Sequence, residues 1–252
     1  MNLAGTILVY TGLFALFLGI VSVVRPLSFL GIASRPRGIV VLLCGVVVFL
    51  VGTNLPASEE SIAAQQLDLD DFIPVYQFHD FHKMRIHARG EDVFKAIKEV
   101  RANEIFLFRT LTWIRRGGRS GPESILNAPE NMPLLEVATR TSFLRLAEEP
   151  NREIVLGTLA AAPRGWRLKK NPAPEDFKAL RAPGFALAAM NFRIEDSGPG
   201  AVLLTTETRV YATDAPTRRR FAAYWRVIYP GSALIRMMWL RAIKQRSEKM
   251  PG

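Results

Sequence analysis

Cysteine and histidine are nearly missing from this 252-residue chain, and acidic residues are missing altogether from its first 58 positions. The single cysteine, Cys44, can form no internal disulfide and no thiolate metal cluster. Lying inside an apolar run, it reads as a small apolar side chain. The three histidines, His79, His82 and His87, fall within nine positions. On a strand, His79 and His87 share one face and His82 points to the other, so the trio does not converge on a metal. No phosphate-cradling glycine loop, GxSxG elbow or zinc-ligand spacing occurs. The sequence therefore declares no metal, no cofactor and no catalytic residue.

What is present at the start of the chain is apolar. Leu3–Val24 carries no charge over 22 residues. At 1.5 Å per residue such a helix is ~33 Å long, enough for a ~30 Å hydrocarbon core. A second uncharged run covers 38–55 and ends at Pro56. Backbone groups in lipid must be satisfied within the segment, so both runs are expected as helices, forming a transmembrane hairpin over 1–57. The first run lacks the basic n-region of a cleaved signal and is longer than a typical signal core.

The only charges before residue 59 are Arg25, Arg35 and Arg37, all in or beside the connection between the runs. The positive-inside rule places that loop in the cytoplasm. The N-terminus and the larger domain would then lie across the membrane, in a bacterium in the periplasm, behind a multi-pass inner-membrane anchor.

The remaining chain holds 30 of the 33 Lys and Arg and all 23 acids, an excess of seven positive charges. It suits an acidic partner such as phospholipid headgroups. Arg218-Arg219-Arg220 comes with no nucleic-acid recognition signature, so nucleic acid is not the expected partner. Residues 58–71 are polar and acidic and read as a linker or short helix. The domain proper is expected over 72–252, a length that can bury a sizeable core.

Within it, 78–88 alternates as a half-buried strand. Val93, Ala96, Ile97 and Val100 make one helical face. A second helix is expected over 102–116, and 117–131, rich in Gly, Pro, Ser and Asn, as a mobile connection. Two strands flank a turn at 148–151, and two longer ones flank Asp196-Ser197-Gly198-Pro199-Gly200, a strong hairpin signal. Asp214-Ala215-Pro216 starts a long C-terminal helix, with Asp as N-cap and Pro in the first turn. A bend is expected at Pro230-Gly231. The order predicts an α+β fold in which a curved antiparallel sheet grips that helix.

This order resembles the helix-grip fold of the START/Bet v 1-like superfamily, the polyketide cyclase/dehydrase and lipid-transport proteins. The likeness covers about 78–247 and rests on FHKMRIHARGEDVFKAIKEV, on LLTTETRVYATD and on the C-terminal helix. It implies an elongated cavity for a lipid, sterol, quinone or polyketide-like molecule. The two apolar runs, an addition to the family's basic domain, favour a membrane-derived ligand. The oligomeric state is left open.

The candidate ligand-binding residues follow from that implied cavity. Phe106, Trp113, Met190, Phe192, Trp225 and Met238 supply apolar lining, the usual material of a concave site. Glu207 and Arg209 share one face of a strand. Turned inward, they would bind a polar headgroup or act as acid and base, Glu207 working with Arg209 or with His82; turned outward, they would form a solvent-exposed pair of little weight. The leading expectation is binding or transport of a hydrophobic molecule. The alternatives are a cyclase- or hydrolase-type enzyme and a scaffold without a pocket.

Overall fold

The computed structural model describes residues 3–166 and 172–250. Its helices are α1 (Leu3–Val24), α2 (Arg35–Asn54), α3 (Asp68–Phe72), α4 (Gly90–Glu99), α5 (Phe108–Arg115), α6 (Leu134–Thr141), α7 (Pro174–Ala179) and α8 (Ala215–Ser247). Its strands are β1 (Glu60–Ser61), β2 (Val75–Tyr76), β3 (Phe78–Ile86), β4 (Leu144–Glu149), β5 (Glu153–Ala161), β6 (Ala186–Asp196) and β7 (Val202–Ala212). The fold is α+β: a five-stranded antiparallel sheet ordered β3-β7-β6-β5-β4, and a long C-terminal helix.

The chain divides into two compact units, residues 1–58 with 219–229, and residues 59–218 with 230–252. In the first unit, α1 and α2 are long and apolar enough to cross a membrane. They run antiparallel along a seam of glycines spaced seven apart, Gly5, Gly12 and Gly19 on α1, and Gly38, Gly45 and Gly52 on α2. Seven residues is two turns, so each set lies on one helix face. A Cβ on Gly12 would stand 2.6 Å from the Phe49 backbone nitrogen, and one on Gly45 2.7 Å from that of Leu16. The helices approach as closely as they do only because these positions lack side chains. Gly5 is the exception: a Cβ there would meet Nε of Arg226, at 2.6 Å. The stretch 219–229 of α8 therefore belongs to the hairpin's packing, not to the sheet's.

In the second unit, the hairpin signal at 196–200 is realised. Asp196 pairs with Val202, and Gly198 and Gly200 take positive φ of 95° and 68°. Asp214 caps α8, its carboxylate accepting from the Thr217 N–H at 2.9 Å. Helix α8 continues through Pro230 to Ser247. The helix expected over 102–116 is broken instead. Leu107 adopts φ 59°, separating a short 3-10 turn at Ala102–Glu104 from α5.

The sheet has two covered faces. Toward one lie Met84, Ile86, Ile154, Leu156, Met190, Phe192, Ile194, Val202 and Leu204, packed with Ile235, Met238, Trp239, Ala242 and Ile243 of α8 and the apolar face of α4. Toward the other lie Val155, Leu187 and Ala189, packed with Leu69, Phe72 and Ile73 and with Phe177 of α7. Alternation along each strand fixes which polar residues go to which face. The acidic stretch 58–71 is thus no mere linker: it contributes β1 and, through α3, the cover of one sheet face.

Candidate functional site

Glu207 and Arg209 share the parity of the α3-covered face, so neither the inward headgroup role nor the exposed-pair reading holds. Arg209 is 4% exposed. Its Nε donates to Glu207 Oε1 at 2.5 Å, its Nη1 to Asp70 Oδ1 at 2.6 Å and to the Ile73 carbonyl at 3.3 Å. Its guanidinium also lies 5.1 Å from the Tyr76 ring centre. His79 Nε2 sits 2.9 Å from Glu207 Oε1. A buried guanidinium thus meets two carboxylates and a ring face, so its desolvation is compensated.

The network continues sideways. Asn191 Nδ2 donates to buried Glu153 at 2.7 Å, and Asn191 Oδ1 accepts from the Glu207 N–H at 2.8 Å. Glu153 also receives the Asp68 N–H at 3.1 Å. Burial raises the carboxyl pKa of both Glu207 and Asp70, but their hydrogen bonds outweigh it. His79 and Arg209 hold Glu207 below its ordinary value of 4.5. The N–H groups of Gln66 and Leu67, with Arg209, hold Asp70 below 3.8. Glu153, facing no bonded cation, is raised by burial despite its hydrogen bonds to Asn191 and Asp68. This network fastens α3 to the sheet, and its groups are occupied with one another. Glu207 and His82 lie on opposite faces, so that acid–base pairing does not assemble; Glu207 and Arg209 do meet, as a buried ion pair under α3.

The α8-covered face differs. Asp80 and His82 point to it from β3, as Met84 and Ile86 do. Asp80 is opposite Thr208 of β7, and Thr208 opposite Met190 of β6, which puts the three in one cross-strand row. Arg236, from α8, lays its guanidinium against Met190 Sδ and over the rings of Phe192 and Trp239, at 6.0 and 5.4 Å from their centres. Two strand spacings of about 4.8 Å separate Met190 from Asp80. Asp80 lies close enough for its charge to act on the guanidinium.

The polar groups in this cluster are only partly matched. Asp80 Oδ1 and His82 Nε2 lie 2.9 Å from one another and have no hydrogen-bond partner beyond that contact. Arg236 Nη1 and Trp239 Nε1 are buried with no hydrogen-bond partner. Burial pushes the Arg236 pKa down to about 10, with Asp80 acting the other way and Arg115 reinforcing the fall. Buried polar atoms in folded proteins are paired in the great majority of cases, so two unmatched donors beside the Asp80–His82 contact mark a candidate binding site. Along this face His82, Met84, Ala188 and Thr208 keep partial exposure, whereas Ile86, Ile154, Leu156 and Leu204 have none to speak of.

Of the expected lining residues, Met190, Phe192 and Met238 are brought together in this core, with Phe192 edge-on to Trp239 at 5.0 Å between centres. Phe106 and Trp113 are not; they are 68% and 54% exposed. The left-handed residue Leu107 turns the chain out of the helical register that would have faced them inward. Trp113 lines instead a cleft of about 320 Å³ with Phe108, Arg116 and Asn127. Trp225 belongs to the hairpin unit. A separate half-open groove of about 770 Å³ lies between the end of α6, β4–β5 and α7, lined by Phe143, Leu159, Trp166, Phe177 and Leu180 among others. Among the described residues no group of His, Cys, Asp and Glu could hold a metal ion.

Sequence reasoning missed Asp80 and Arg236, while Trp239 was expected on the inner stripe of α8. A signal existed for both: Asp80 and His82 are the polar members of the otherwise apolar face Phe78-Met84-Ile86. Arg236 likewise interrupts the inner stripe formed by Ile235, Met238 and Trp239.

No protein-family model matches the chain, and no curated protein matches it. Among solved structures it is similar to a hypothetical protein from Helicobacter pylori, at TM-score 0.36 and 8% identity over 75% of this chain and 98% of that one. It is similar also to CalU16 from Micromonospora echinospora, at TM-score 0.25 and 15% identity over 76% and 94%. A third is a protein from Thermus thermophilus, at TM-score 0.27 and 9% identity over 68% and 97%. None of the three lends a function to this chain.

Proposed function

We propose that this chain is a membrane-tethered binding protein for a hydrophobic molecule that carries a polar group, held on the α8 face of the sheet in the manner of a helix-grip domain. The observation that carries the reading is the pair of unmatched donors, Arg236 Nη1 and Trp239 Nε1, beside the Asp80–His82 contact and amid Met190, Phe192 and Met238. A core selected for stability alone would place an apolar side chain at 236, because an unpaired buried charge is costly. A ligand polar group that accepts from Arg236 and Trp239 gives those donors a purpose. The element order, akin to START/Bet v 1-like proteins, supports the same reading. The two apolar helices make membrane lipid, sterol or quinone the natural supply. The arginine-bearing loop favours a cytoplasmic hairpin turn and a periplasmic domain.

The test is mass spectrometry of apolar molecules extracted from the purified full chain and from Arg236→Met. Annular lipids held by the hairpin are common to both proteins. The expected result is one species, near equimolar with protein, present in the natural chain and missing from the variant. Identical profiles from the two proteins would sink the reading and favour a scaffold without a ligand.

A further inference from the structure

We infer that the 221–229 stretch of α8 is a third membrane-contacting element, seated in the headgroup–carbonyl zone of a phospholipid bilayer beside the paired ends of α1 and α2. The inference rests on the reading of α1 and α2 as membrane spans. It makes 221–229 part of the anchor rather than of the ligand domain.

Arg226 is the first ground. It is 3% exposed, and its Nη1 and Nη2 donate to the carbonyls of Thr53 and Leu55 at 2.8 and 2.7 Å. These carbonyls close α2, where a helix leaves its last acceptors without intrahelical donors. The arginine supplies those donors, and its positive charge complements the negative end of the α2 dipole. Gly5 leaves room for the guanidinium beside α1. Tyr10, also on α1, donates its hydroxyl to the Val227 carbonyl at 2.6 Å. Arg226 and Val227 are thus fixed level with the last turn of one apolar run and the first turns of the other. In a spanning hairpin that level is the membrane boundary.

The second ground is composition at that level. Phe221, Tyr224, Trp225 and Tyr229 form a file of ring contacts, with centres 5.7, 5.9 and 5.9 Å apart along the sequence of pairs 221–224, 221–225 and 225–229. Within the file Phe221 and Trp225 are buried, while Tyr224 and, beside it, Val227 present large exposed side chains. Arg219 is exposed one step earlier on the helix. Tyr and Trp concentrate where hydrocarbon meets headgroups, because one end of each side chain is apolar and the other polar. Arginine at the same depth reaches phosphate oxygens while its stem stays in the apolar layer.

The experiment uses the full chain in vesicles of phosphatidylcholine and phosphatidylglycerol whose acyl chains are brominated either close to the headgroup or close to the chain end. Tryptophan emission of the natural chain is compared with that of Trp225→Phe, the difference reporting Trp225 alone. Tyr224→Trp added to Trp225→Phe gives a second interfacial probe, and Phe14→Trp added to it marks the middle of α1. Trp225 and Tyr224→Trp are expected to lose more emission to the shallow bromines than to the deep ones. Phe14→Trp is expected to show the reverse order. Deep quenching of Phe14→Trp with no quenching of Trp225 or of Tyr224→Trp overturns the inference and leaves the spans standing. No quenching of any of the three overturns both.

Discussion

The two faces of the sheet bury charge in opposite ways. Under α3, Arg209 is met by Glu207, Asp70 and Tyr76; Glu207 links onward to His79 and Asn191, and Asp70 to the N–H groups of Gln66 and Leu67. Under α8, Arg236 has a methionine sulfur, two aromatic rings and an unpartnered Nη1. The same residue type is a structural rivet on one face and an unmatched donor on the other. The difference shows that one sheet buries arginine in two ways, by matched hydrogen bonds on one face and by sulfur and ring contacts on the other.

Three substitutions and one titration sharpen that contrast, and all are read by denaturation of ligand-stripped protein. The largest effect is expected from Arg209→Met, which strands Glu207 and Asp70 as buried, uncompensated charges. It should destabilise by about 3–5 kcal/mol. Asn191→Ala removes the bridge between Glu153 and the Glu207 N–H, leaving both unsatisfied. A loss of about 1–3 kcal/mol is expected. Arg236→Met replaces a cation with no hydrogen-bonded carboxylate by an apolar side chain of similar length, and Asp80 keeps His82 at 2.9 Å, so stability should be unchanged or rise by about 1 kcal/mol. A large loss in that variant would mean that the two faces are alike after all.

The smallest effect is in pH. Glu153 has a raised pKa in the folded state, so the fold binds a proton there more readily than the unfolded chain does. Its contribution to stability is missing at neutral pH and is gained as pH falls through the folded value toward 4.5. Glu207 and Asp70 are depressed, so their contribution is full above their ordinary values of 4.5 and 3.8 and is lost as pH drops through the folded ones. Stability should therefore rise slightly on mild acidification and then collapse. Glu153→Gln is expected to flatten the rise while keeping the collapse, as thermal melts across the pH range would show.

Local chemistry was legible in the sequence where it acts alone. The hairpin at 196–200 was readable because Gly198 and Gly200 suit positive φ, and the start of α8 because Asp214 and Pro216 are sufficient to cap it. The two apolar helices needed only their length. What depended on distant partners was hidden. Nothing near Arg209 in sequence announces that Asp70, 139 positions away, covers it. Trp225 shares the helical stripe of Met238 and Trp239, yet it packs with the hairpin because Arg226 beside it holds the end of α2. Phe106 and Trp113 were misjudged because a single left-handed residue, Leu107, resets the helical phase. The seven-residue spacing of glycines in both apolar runs was in plain view, and it is the one sequence signal whose consequence, close approach of α1 and α2, could have been drawn without coordinates.

The contrast between the faces is tested most directly by one paired measurement: unfolding free energies of ligand-stripped Arg209→Met and Arg236→Met against the natural chain, in the same denaturant series. The expected outcome is a deep loss for Arg209→Met and none for Arg236→Met, so that only the first arginine serves the fold. Equal losses would show Arg236 to be a structural residue like Arg209, and the binding site built around it would fall.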